Sequence, residues 1–415
     1  MKRLLAIVLI LAVLSGLVVG CKPAPSPTPA AAEPTQPPPA EVKTVKIGAL
    51  YPLSGELAKL GEDVRNGLVL AIEEINAAGG IKSLGGAKIE LVFGDSQGKP
   101  DVGISEVERL IQQEGVVMIV GAYQSAVTLP ASQAAERLET PFLVDIAISD
   151  KITERGLKWV FRVGPKADWY ARDQVDFLKA LKDLAGLEVK KVALLHENTD
   201  FGESSAEGQK KYLAQAGIEM ILEVSYPSNA ADLTTEVSKV QAAKPDAVLT
   251  VTYLNDGVLI AQAREKLGMT AMPFIDTAGG TIDPEYIKRL GQTAEGMMSV
   301  VEFSKYAKGG AELNDRFRAK YGEDMTGNSV HSYQAGLVVA DVLERAASTD
   351  KNALREALAA TKLSGDRVVL PADQLEFGPD GQNKYAQLYI VQIQGGELMP
   401  VWPPTAATAQ VKLGP

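Results

Sequence analysis

An α/β fold built from parallel βαβ units is predicted for this chain by two observations. Short apolar, β-branched runs alternate with amphipathic stretches of helical spacing along nearly all of the chain beyond residue 43. Such alternation gives a parallel sheet covered by helices on both faces. The pattern then restarts: residues 43–160 and 165–295 read as two similar successive arrays, with no clean sequence repeat between them. Neither array is followed by a linker-like break, so the two are expected to share an interface.

In chain order, the first array predicts a strand over 45–50. A helix over 63–77 follows, on the spacing of Val64, Leu68, Ala71, Ile72 and Ile75, and Gly79-Gly80 stops it. Strands over 88–93, 116–120 and 141–144 come next, separated by helices over 102–113 and 126–138. The second array opens on the short extended Phe161-Arg162-Val163 and a helix over 173–184. Strands at 191–195, 220–224, 247–251 and 273–275 alternate with helices at 204–216, 233–242 and 258–267. Beyond Gly296 lie a predicted strand over 297–302, helices over 312–321, 330–346 and 354–360, and a late strand over 385–392.

The N-terminus has a different character. Lys2 and Arg3 precede an apolar and small-residue run from Leu4 to Val19, then Gly20 and Cys21, the one cysteine of the chain. A basic start, an apolar middle and small residues at the end make a secretory signal over 1–20. The run is short for a membrane span. Leu17-Val18-Val19-Gly20-Cys21 resembles a lipobox, with Val18 where Leu is usual, and Cys21 is the expected lipidation site. Residues 22–40 then carry eight prolines in 19 positions. That composition cannot bury a core, and extended polyproline geometry over it reaches about 60 Å at ~3.1 Å per residue. Residues 21–42 are therefore read as a lipid-bearing tether.

Composition excludes several classes. Residues 1–20 hold two of the 42 basic residues and none of the 52 acidic ones, so their removal takes the net charge from −10 to −12. An acidic chain argues against a nucleic-acid partner, which needs clustered Lys and Arg. With a single cysteine no internal disulfide is possible, and stability must come from packing. No second apolar run approaches the ~20 residues of a span. An enzyme is not expected: His196 and His331 are isolated, and His196-Glu197-Asn198-Thr199-Asp200 lacks the second histidine of a metalloprotease helix. There is neither a P-loop nor a Gly-x-Ser-x-Gly elbow. No cofactor and no metal are expected.

Tyr51-Pro52-Leu53-Ser54-Gly55, Gly67 and Glu74-Ile75-Asn76-Ala77-Ala78-Gly79-Gly80-Ile81 together resemble the opening of the branched-chain amino-acid-binding proteins. These are extracytoplasmic receptors of ABC importers with the type I periplasmic-binding-protein fold. The likeness continues through Gly121–Ser125, Ile152–Gly156, Phe161-Arg162, Asp200-Phe201-Gly202, Pro245–Val248 and Glu295-Gly296-Met297, and covers about residues 43–400. It implies two Rossmann-like lobes with parallel sheets, joined by three crossover strands near 162–166, 296–301 and 368–378. One lobe would comprise 43–163 plus 299–370, the other 166–296 plus 371–415. It also implies a monomer that closes on a small ligand by a hinge and docks on the transmembrane subunits of a permease. Lipid on Cys21 would hold it to the outside of the cell membrane. A sensor of the same fold reporting to a signalling partner is the alternative.

Ser125 is the leading site candidate from its position alone. It lies between a strand end at Gly121 and the helix from Ala126, at an expected N-cap, where free N–H groups and a hydroxyl suit an anion. The resemblance assigns this position to the ligand carboxylate. It adds backbone contacts from Ala147 and Ile148, with Ile148 replacing a common Thr, and an aromatic wall from Phe201 and Tyr253. Tyr123 and Gln124 adjoin the expected cleft, and Trp169 follows the first crossover, placed either to close the cleft or to pack within a lobe. In amino-acid binders of the family an acidic side chain from the loop after strand 273–275 meets the ligand ammonium. Here the aligned position is Ala278, and Asp276 and Thr277 stand just before it. The carboxylate end of the site is thus kept and the ammonium end altered. This leaves open an amino acid, a deaminated acid or an amide, and implies little discrimination between amino acids and their deaminated analogues.

Overall fold

The computed structural model describes residues 43–307, 309–385 and 387–414. The signal segment 1–20, the proposed lipid site Cys21 and the proline-rich stretch up to residue 42 lie outside the described residues.

The first sheet is five-stranded and wholly parallel, in the order β2-β1-β3-β4-β5. Its strands are β1 (Thr44–Tyr51), β2 (Lys88–Asp95), β3 (Ile119–Gly121), β4 (Phe142–Val144) and β5 (Val160–Arg162). Helices α1 (Ala58–Ala77), α2 (Pro100–Gln112) and α3 (Ser125–Arg137) connect them. The central strands read as apolar runs because both faces are covered. Ile47, Ala49, Tyr51, Val120 and Leu143 face one buried cluster, and Leu50, Ile119, Phe142 and Val144 the other.

The second lobe begins with α4 (Ala167–Ala185), β6 (Lys191–Glu197), α5 (Asp200–Ala216), β7 (Glu219–Tyr226) and α6 (Thr234–Ala243). It continues through β8 (Ala247–Val251), α7 (Leu254–Lys266), β9 (Phe274–Thr277), α8 (Pro284–Leu290) and β10 (Met298–Val301). The chain then returns to the first lobe for α9 (Gly310–Tyr321), α10 (Gly327–Ala346) and α11 (Lys351–Ala359), and for the small antiparallel pair β11 (Lys362–Ser364) and β12 (Gln374–Glu376). It ends in β13 (Tyr389–Gln394) and β14 (Glu397–Trp402), which close the second sheet in the order β14-β13-β10-β9-β8-β6-β7. β6 to β10 pair in parallel, and β13 runs antiparallel to β10 and to β14. α1 and α10 pack so closely that a Cβ at Gly67 would overlap the Ser329 carbonyl.

Two lobe boundaries shift from those expected. β10 belongs to the second sheet, so that lobe runs through Val301 rather than stopping near 296. The third crossing also comes later than 368–378. Gln382 and Asn383 are still bound to the first lobe, where the Arg162 N–H donates to the Gly381 carbonyl at 2.8 Å and the Asn383 N–H to the Arg162 carbonyl at 3.0 Å. The chain crosses only between Asn383 and β13. The cause is a tertiary pairing with β5, which no local pattern reports.

Candidate functional site

The C-terminal ends of the two parallel sheets face each other, which is where open α/β sheets place their ligands. A cavity of about 30 Å³ lies between them. Tyr123, Ser125, Ile146, Ala147 and Ile148 line it from the first lobe, Phe201, Tyr253, Ala278 and Gly279 from the second. Glu302, at the second crossing, and Asn328, at the start of α10, complete the wall.

The first-lobe wall carries the donors, beside the apolar Ile146 and Ile148. β3 ends at Gly121, where any Cβ would overlap the Leu50 carbonyl, and Tyr123 follows with φ at 78°, rare for a bulky residue. Ser125 is the first residue of α3, with Gln124 rather than Ser125 at the N-cap; Gln124 takes extended geometry there. The Ser149 N–H donates to Ser125 Oγ at 3.2 Å, and among the described residues no acceptor takes the Ser125 hydroxyl proton. That proton and the helix start suit an anion.

Arg162 holds the adjoining loop in place. It is fully buried, and its Nη1 donates to the Ala147 and Ser149 carbonyls at 3.2 and 2.7 Å. Its Nη2 donates to Thr153 Oγ1 at 3.1 Å, and its Nε to Gln382 Oε1 at 2.6 Å. Burial lowers its pKa to about 10, so it stays charged at neutral pH. One guanidinium thus ties the site loop to the third crossing.

The second-lobe wall is aromatic. Glu197, ending β6, accepts from the Thr199 N–H, Thr199 Oγ1 and the Gly202 N–H at 2.6, 2.8 and 2.6 Å, which fixes the first turn of α5. Phe201 projects from that turn. Tyr253 is the N-cap of α7, with its ring centroid 5.3 Å from that of Phe201 and 6.4 Å from that of Tyr123 across the cleft. Close packing of Gly279 and Gly280 on residues 252–254 holds Ala278 beside Tyr253. The lobes also touch outside the cavity: the Asp150 N–H donates to Ser204 Oγ at 3.0 Å, and Lys151 lies 3.5 Å from Asp200. This is a closed arrangement.

Four sequence candidates lie outside the cavity wall. Asp276 is fully buried, and its carboxylate accepts from Thr250, Thr252 and Thr281 hydroxyls, each at 2.9 Å, so it has no room for a ligand cation. Thr277 Oγ1 accepts from Gln174 and Gln209 inside the lobe. The Gln124 side chain packs against Gly98, and Trp169 sits half-buried on α4 without reaching the cavity. Four residues that line it escaped the sequence reading, Ile146, Gly279, Glu302 and Asn328. The available signal for Glu302 was a single acid at the end of the apolar run Met297–Val301.

Glu302 differs from every other group in the wall. It is 4% exposed, its Oε2 has no hydrogen-bond partner among the described residues, and burial pushes its pKa up to about 8. A larger concavity, about 660 Å³, lies elsewhere, against α8, the turn into α10 and the β13–β14 hairpin.

The model of the family described as periplasmic binding protein matches residues 44–397. The Leu/Ile/Val-binding protein homolog 7 of Brucella suis is 32% identical over 379 residues, covering 89% of this chain and 94% of that protein. The chain is a periplasmic binding protein of the Leu/Ile/Val-binding type. Two solved structures share the fold of this binding protein. One is the branched-chain amino acid transporter substrate-binding protein LivJ of Streptococcus pneumoniae in complex with isoleucine, with TM-score 0.75, 23% identity, and coverage of 86% of this chain and 98% of that one. The other is a solute-binding protein of Rhodopseudomonas palustris in complex with 3,4-dihydroxybenzoic acid, with TM-score 0.76, 21% identity, and coverage of 89% and 98%. In this binding protein no helix among the described residues is long and apolar enough to cross a membrane.

Proposed function

We propose that this periplasmic binding protein captures a small carboxylate-bearing ligand between its lobes, outside the cytoplasm, and delivers it to the transmembrane subunits of an ABC importer. The observation that carries the reading is a cavity walled by both lobes, with anion donors on the first lobe and aromatic rings from both. At about 30 Å³ it holds little more than water, so a ligand enters only when the lobes part. Closure then completes contacts that neither lobe makes alone. Ser125, the start of α3 and the backbone of Ala147 and Ile148 receive the carboxylate; Phe201, Tyr253 and Tyr123 pack on the remainder. Lipid on Cys21 and the proline-rich tether would keep the protein at the membrane that holds its permease.

A branched-chain amino acid draws support from the Leu/Ile/Val-binding relative and the isoleucine-bound neighbour. An aromatic acid draws support from the three rings and from the neighbour holding 3,4-dihydroxybenzoic acid. Native mass spectrometry of protein purified from cells identifies the molecule carried. Adding that molecule to stripped protein is expected to reduce the radius of gyration in X-ray scattering. Identical profiles with a confirmed ligand would remove the hinge mechanism.

A further inference from the structure

The proposed function leaves the second recognition group of the ligand unnamed, and the inference below rests on that reading of the cavity. Glu302 follows β10 directly, at the point where the chain crosses between lobes. Its carboxylate reaches the same cavity as Ser125, Phe201 and Tyr253. Oε2 lies against the backbone of Gly327 at the start of α10, where any Cβ would overlap it. The position is therefore shaped to admit this carboxylate. The helix start behind it favours a negative charge, yet no donor meets Oε2.

No lysine, arginine or histidine lines the cavity. Burying a carboxylate without a partner is costly, and a fold that needed only packing here would carry an apolar residue. A purely anionic ligand would bring only further acceptors toward this carboxyl group, with no cation in the wall to offset them. The missing partner is a cationic donor brought in by the ligand. The rest of the wall, with Ile146, Ile148, Phe201 and Tyr253, suits an apolar side chain.

We propose that Glu302 receives the ammonium of the ligand, so that the site takes a zwitterionic amino acid with an apolar side chain in preference to the same acid without its amine. Ser125 and the α3 start hold one charge of the zwitterion, and Glu302 holds the other from the hinge. Because Glu302 stands on a crossing segment, this contact forms where the two lobes meet, and it couples the ligand's amine to closure.

The test uses pairs of probes that differ only in the amine: L-leucine with 4-methylpentanoate, and L-phenylalanine with 3-phenylpropanoate. Each is titrated calorimetrically into the wild-type mature protein, Glu302→Gln and Ser125→Ala. The wild type is expected to favour the amine-bearing member of at least one pair by about 10- to 100-fold. Glu302→Gln is expected to bring that ratio near one, while Ser125→Ala weakens both members and preserves it. Ligand-free Glu302→Gln is expected to melt no lower than wild type, which a structural role for the carboxylate would not allow. Equal binding within every pair, a preference for the deaminated member, or a preference that survives Glu302→Gln would overturn the inference while leaving the carboxylate-binding cleft intact. Binding of neither member of any pair, or binding indifferent to Ser125→Ala, would overturn the proposed function as well.

Discussion

β9 and β10 pair in parallel within the second sheet, Asp276 opposite Ser299, and each delivers a buried acid near its C-terminal end. Asp276 is fully buried and Glu302 is 4% exposed, so both have left water to a similar degree. Asp276 meets three threonine hydroxyls at 2.9 Å; Glu302 Oε2 meets none. Equal burial with opposite satisfaction separates two roles. The first carboxylate is part of the fold, a hub joining β8, β9 and the loop beyond. The second is held by the fold without being used by it, and it faces a cavity to which both lobes contribute aromatic rings.

The largest effect that sharpens this contrast concerns stability and pH. Burial pushes Asp63, Asp145 and Asp276 up to about 7 and Glu302 up to about 8. In the unfolded chain such groups titrate near 4. Between about pH 4 and 8 the folded protein therefore binds more protons than the unfolded one, and its stability declines as pH rises through that window. Ligand-free protein is expected to melt several degrees lower at pH 8 than at pH 5. A flat or rising profile would show that these acids are ionised without cost.

Next come the two acids singly. Asp276→Ala strips the acceptor from three buried hydroxyls and is expected to cost about 3 kcal/mol or more in urea unfolding. Glu302→Gln at pH 8 is expected to cost nothing or to stabilise. Equal losses would break the comparison. Smaller still is the effect of Ser125→Ala on stability, about 1 kcal/mol for the bond from Ser149; its effect belongs to binding, expected to weaken by about 10- to 100-fold.

Much of the architecture was legible in the sequence because parallel strands buried on both faces read as apolar runs. Helix starts were not. α1 begins at Ala58, α4 at Ala167 and α7 at Leu254, each several residues before the expected start, because their N-caps Leu57, Lys166 and Tyr253 make no side-chain cap bond and carry none of the usual start signals. α8 is short, and β14 carries Pro400, which hid it. In the cavity, Ser125, Ala147, Ile148, Phe201 and Tyr253 were legible because each stands just beyond a strand end. Asp276 and Glu302 could not be told apart in the sequence: both are acids at apolar strand ends. What separates them is the convergence of Thr250, Thr252 and Thr281 on one carboxylate, a tertiary fact with no local signature.

Proton release on binding tests the central claim most directly. With a pKa of about 8, Glu302 is mostly protonated in the ligand-free protein at pH 7. Tyr123 and Tyr253, which share its cavity, are pushed well above their usual range by burial, and His331 on its other side is pushed down to about 3. Asp63 and Asp283, raised by burial, lie near Tyr123, so the comparison with Glu302→Gln isolates the contribution of Glu302. An ammonium arriving at Glu302 must displace the carboxyl proton. L-leucine titrated at pH 7 in buffers of different ionisation enthalpy is predicted to release close to one proton more from the wild type than from Glu302→Gln. Tight binding with the same proton count in both proteins would contradict the account.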